Sequence, residues 1–181
     1  MDILDRIVGH DAWATRHLLT LCRPLADAQL DQRFGQQSTL RETVVHIVEV
    51  MESWTSRMYD RPWHGDPGPY SQTRSMAGLT QRFETISADF IALAHRIRDE
   101  GRFDDMFVDY RNEPKRRKTY GACIVHLTTH SMNHRAQIFA LFDQLGVAYD
   151  GFEGDALDWE KVTHYGGAWP LATGHAEHHN T

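Results

Sequence analysis

The stretch His126-Leu127-Thr128-Thr129-His130-Ser131-Met132-Asn133-His134-Arg135 carries three histidines at successive four-residue steps. Residues four apart share one face of an α-helix, with Cβ atoms about 5–6 Å apart, so neighbouring imidazoles in this row can converge on one cation. All three cannot, because the row spans roughly 12 Å at about 1.5 Å per residue. Two pairs are therefore on offer, His126 with His130 or His130 with His134. His134 falls on the apolar stripe Ile124, Leu127, Ser131, His134, Ile138, Leu141, Leu145, and His130 lies one turn before it. That placement favours the second pair, since a neutral imidazole on a packed face needs partners for both nitrogens and a metal satisfies one. A hydrogen-bonded structural pair is the alternative.

The same three- and four-residue rhythm runs through three further segments. Over roughly 2–21 the stripe reads Ile3, Ile7, His10, Ala14, Leu18, Leu21; over 39–59, Leu40, Val44, Ile47, Met51, Trp54, Met58; over 77–100, Leu79, Phe83, Ile86, Phe90, Leu93, Ile97. With 120–145 these make an all-α, four-helix bundle. Thr39 and Glu42 have capping-box spacing, and Gly101 and Gly146 stand where helices stop. Three prolines and two glycines in 61–69 rule out helix, which predicts a long crossover between helices two and three. Segments 107–110 and 117–120 flank Asn112-Glu113-Pro114 and predict a small β-hairpin before the last helix. One domain over 1–165 is expected, with 166–181 a flexible, histidine-containing tail.

A helix pair supplies two ligands, and the third candidate is His46, set in the apolar run Val44-Val45-His46-Ile47-Val48. Glu49, one turn later, is the candidate general base; an exposed helix-face carboxylate is the plainer alternative. His10 is a weaker supporting or substrate-facing candidate. Cys123, one turn before His126, is either a small core residue or part of a thiol–imidazole pair. Trp13, Trp54, Trp63 and Tyr120 could line a pocket.

Composition narrows the function classes. The 181 residues include twelve histidines, two cysteines and a net charge of −6. Two cysteines make no disulfide framework, and no leader or membrane-length apolar run stands out, so a cytoplasmic protein with no membrane association is expected. The acidic balance argues against nucleic acid as a partner; the one basic cluster, Lys115-Arg116-Arg117-Lys118, is short.

Taken together, His10-Asp11-Ala12-Trp13-Ala14, His46 with Glu49 and Trp54, and His130-Ser131-Met132-Asn133-His134-Arg135-Ala136-Gln137-Ile138 resemble the DinB/YfiT family of metal-dependent four-helix proteins. The tail segment from Gly151 to Trp159 is similar to that family's closing segment. The resemblance covers nearly the whole chain, and its most specific part is His46 combined with HxxxHR-x-Q-I. It implies His46, His130 and His134 as the metal ligands, with His126 a neighbour. It also implies a homodimer, zinc or nickel as the divalent ion (iron and manganese being open to the same ligands), and a small-molecule substrate. Relatives catalyse thiol-dependent S-transfer or isomerisation with a low-molecular-weight thiol co-substrate, or metal-dependent hydrolysis. Two departures stand out: Thr15 where relatives often have Asn, and Ala136 where they often have Gly.

Three histidines leave coordination positions open, as catalytic rather than structural zinc sites do. No GxSxG elbow, P-loop, GxGxxG or CxxC competes. The expected function is a metal-dependent S-transferase or hydrolase, the alternative a non-catalytic metal-binding stress-response domain.

Overall fold

A computed structural model describes residues 1–61, 74–110, 114–149 and 152–167. In chain order its elements are α1 (Ile3–Cys22), α2 (Asp27–Leu30), α3 (Leu40–Met58), α4 (Met76–Asp99), β1 (Met106–Asp109), β2 (Arg116–Thr119), α5 (Tyr120–Leu145) and α6 (Ala156–His164). The four helices expected from periodicity are α1, α3, α4 and α5, each within about two residues of its predicted ends. The proline-rich part of the crossover (62–69) with Trp63, the hairpin residues Asn112 and Glu113, and the tail from 168 onward lie outside the described residues.

Helix ends follow local chemistry. Asp2 and Asp5 form a capping box at α1, and Thr39 and Glu42 another at α3, each satisfying backbone N–H groups that a helix start leaves open. Gly146 ends α5 at φ 66°, the left-handed conformation that glycine adopts without a Cβ clash. The hairpin forms one residue earlier than expected, with Met106 opposite Thr119 and Asp109 opposite Arg116.

α3 packs against both α4 and α5, and α1 against α4, α5 and α6. Every residue of the α4 stripe is buried, and Phe83, Phe90 and Phe142 are among the largest side chains wholly inside. Each such ring removed from water contributes roughly 1.5–3 kcal/mol. Two expectations need correction. On α1, Ala14 and Leu18 of the expected stripe are buried but Ile3 and Ile7 are exposed, and the buried face also takes in Leu4, Val8, Asp11, Ala12, Thr15, Leu19 and Cys22. The face is rotated because it holds a buried ion pair, which apolar periodicity does not register. On α5 the spacing also predicts a second apolar row, Val125, Met132, Phe139 and Phe142, beside the core stripe, and this row splits: Val125 and Met132 are exposed, whereas Phe142 is in the core.

Candidate metal centre

The packing of α3 on α5 brings three imidazoles together at the surface between them. Val45 and Ile47 are buried on either side of His46, so the core holds the backbone of α3 while the His46 ring itself stays exposed. On α5, Leu127, Ser131 and Ile138 face inward, leaving His130 and His134 half-buried at the edge rather than within the core stripe as expected. His130 Nε2 lies 3.1 Å from His46 Nε2 and 3.2 Å from His134 Nε2. The rings fan around this meeting point instead of stacking, with interplanar angles of 53°, 61° and 81°.

This arrangement fits a divalent ion. Tetrahedral ligation at about 2.0–2.1 Å from each nitrogen separates neighbouring nitrogens by about 3.3 Å, close to the spacing present. Without a cation the contacts conflict. His134 Nδ1 lies 2.8 Å from Gln137 Oε1, an acceptor, so Nδ1 carries the proton and Nε2 keeps its lone pair. His130 Nε2 has either one proton or one lone pair, so it can hydrogen-bond one of its two neighbours at a time. A shared cation satisfies all three nitrogens at once. Burial pushes the His130 imidazole down to about 4, helped by His134, His46 and His126 around it, so it is a neutral donor at physiological pH. Burial and His134 also lower His46.

Behind the histidine pair, Arg135 is buried between α5 and α1. Its Nη1 donates to Asp11 Oδ1 and, at 3.1 Å, to Thr15 Oγ1. Burial pushes the Asp11 carboxyl up to about 6 against the pull of Arg135. Arg135 directly follows His134, so anchoring the one inward turns the other toward α3. Thr15 therefore supplies an acceptor to the residue beside a candidate ligand. Neither Asp11 nor Gln137 was singled out from sequence; the signal available for both was the arginine and glutamine that follow His134 in the motif.

The other candidates lie outside the three-histidine group. His46, His130 and His134 are the group of potential ligands whose donor atoms lie within 4.8 Å of one another among the described residues, and they could hold a metal ion. His126 is outside that group, 5.5 Å from the His130 ring and edge-on to Trp54 at 5.6 Å. Glu49, half-buried, accepts from Arg74 Nη2 at 3.2 Å. His10 bonds the Gly154 carbonyl at 2.8 Å and so fastens the closing segment to α1. Cys123 is buried, and burial pushes its thiol up to about 11, the behaviour of a core residue. Trp13 packs on Phe152 and Tyr120 on Phe107. No described helix is long and apolar enough to cross a membrane.

The DinB family model matches residues 2–165, the whole span of this bundle. The chain belongs to the DinB family. Solved structures of similar fold include a DinB-like protein from Bacillus cereus ATCC 10987, with a TM-score of 0.60 and 19% identity, covering 79% of this chain and 91% of that one. A putative DinB family member from Exiguobacterium sibiricum 255-15 is similar with a TM-score of 0.56 and 17% identity, covering 84% of this chain and 95% of that one. None of the curated proteins matches this DinB chain.

Proposed function

We propose that this DinB protein is a metal-dependent enzyme acting on a small molecule, a thiol-dependent S-transferase in the first instance and a hydrolase in the second, with His46, His130 and His134 holding zinc or nickel. The observation that carries the reading is the convergence of three Nε2 atoms at a surface-open position, with His46 exposed. A closed structural site would surround its ion with four protein ligands, and a fourth side chain is not grouped with these three among the described residues. When bound there, a divalent ion favours the deprotonated form of a thiol or of water at neutral pH.

The protein's own groups then have distinct tasks. Gln137 holds the proton on His134 Nδ1 and so presents the Nε2 lone pair. Arg135, pinned by Asp11 and Thr15, fixes the rotation of α5 about its axis. Glu49 is the carboxylate assigned to proton removal, exchanging its Arg74 partner for the substrate proton. Exposed Val125 and Met132 on α5 support a homodimer.

The test is a screen of thiol-conjugation and ester-hydrolysis substrates with the metal-depleted protein before and after zinc, nickel or manganese is restored. Activity that returns with metal supports the proposal. A metal-replete protein that turns over neither class, and whose cobalt-substituted form admits no added ligand, leaves the non-catalytic metal-binding reading in its place.

A further inference from the structure

The two α5 residues one turn apart, His134 and Gln137, face different openings. A cleft of roughly 280 Å³ lies between the start of α3 and α5, lined by Gln37, Ser38, Thr43, Gln137, Ala140 and Leu141. Gln137 is thus shared: its Oε1 accepts from His134 Nδ1 at 2.8 Å, while the residue also forms a wall of the cleft. Because Nδ1 and Nε2 lie on opposite sides of an imidazole ring, this opening is behind His134, away from the point where the three Nε2 atoms meet.

We propose that this cleft binds a small uncharged ligand bearing amide or hydroxyl groups, and that Gln137 couples its occupancy to the metal centre through His134. The lining sets the ligand class. It consists of two carboxamides, two hydroxyls and two apolar side chains, with no charged residue. Bringing a charged group against it would strip part of that charge's water with no ion to answer it. The positive end of α3 does not reverse this preference, since the Glu42 carboxylate of the capping box already occupies it.

Hydrogen-bonding capacity is left over in the wall. The Thr43 hydroxyl donates to Thr39 O at 2.9 Å, which leaves its oxygen able to accept. The Gln137 amide nitrogen, with its two protons, has no partner among the described residues, and neither has the Gln37 amide nitrogen. Leu141, buried beneath, gives the ligand's carbon skeleton an apolar surface. A ligand accepting from Gln137 would hold the carboxamide plane, and with it the acceptor that orients His134. The coupling half of the proposal rests on the three-histidine centre; the cleft itself does not.

Both halves are tested on the full chain with a matched trio of probes: butyramide, butyrate and butylammonium. In the ¹⁵N-labelled, metal-free protein, butyramide is expected to shift the side-chain amide signals of Gln37 and Gln137 saturably, with both charged probes much weaker. Equal, non-saturating shifts from all three, or tighter binding of a charged probe, overturn the cleft assignment. In the cobalt-substituted protein, butyramide should change the visible spectrum. Gln137→Glu keeps an acceptor for His134 and removes the amide donor, so it should still bind cobalt but no longer respond. A response as large as that of the original protein would mean that the amide reaches the ion directly, which overturns the coupling. Failure of the original protein to bind cobalt overturns the coupling and the three-histidine reading and leaves the cleft result standing, whereas failure of Gln137→Glu alone overturns the coupling.

Discussion

Arg135 and Asp11 form an ion pair buried between α5 and α1, immediately behind the pair of histidines that α5 presents to α3. Removing one member of such a pair strands the other charge out of water, which costs about 3–5 kcal/mol. Asp11→Ala is therefore expected to lower unfolding stability by about that amount in urea titration. Glu84→Ala, which breaks the exposed Arg16–Glu84 pair, should cost under about 1 kcal/mol. Equal small losses in both variants would show that Asp11 does not anchor the helices.

The depressed histidines make a pH prediction with a definite sign. His130 stays neutral in the folded protein down to about 4, whereas the unfolded chain protonates near the ordinary 6.5. The stability tied to this group is thus full above 6.5 and is lost as pH falls from there toward 4. The same depression means that His130 has no proton to release when metal binds at pH 6. Calorimetry in buffers of different ionisation enthalpy should report fewer than about two protons released per ion at that pH. Release of more than about two would mean that His130 still carries a proton at that pH.

Glu49→Gln tests the proton-removing role. If this carboxylate takes the substrate proton, kcat should fall by about 10²–10⁴ while metal content stays unchanged. Loss of the ion, or unchanged kcat, removes Glu49 from the chemistry.

Val125 and Met132, on one face of α5 and both more than half exposed, are expected to be covered by a second copy of the chain. Light scattering at micromolar concentration should report a dimer, and Met132→Lys a monomer. A monomeric original protein contradicts the assignment.

Much of this arrangement was legible in the residues because apolar spacing is read directly from side-chain type. The α4 stripe is the clearest instance, all six of its positions being buried. On α1 the same reasoning set Ala14 and Leu18 inside, where they are, but also Ile3 and Ile7, and it missed that the true inner face contains Asp11 and Thr15. Their burial depends on Arg135, which is 124 residues from Asp11 in sequence, and no local pattern carries that pairing. The site shows a similar division. The four-residue step between His130 and His134 and the placement of His46 pointed to the three rings that meet. The bond of Gln137 to His134, and the cleft that Gln137 shares, depend on how α3 lies against α5, which spacing alone does not specify.

His46, His130 and His134, and not His126, are expected to hold one divalent ion. The most direct measurement is metal content by elemental analysis of the purified protein and its four single alanine variants, each loaded with zinc and then dialysed. About one ion per chain is expected in the original protein and in His126→Ala, with little in His46→Ala, His130→Ala or His134→Ala. An empty His126→Ala beside a fully loaded His134→Ala would contradict it.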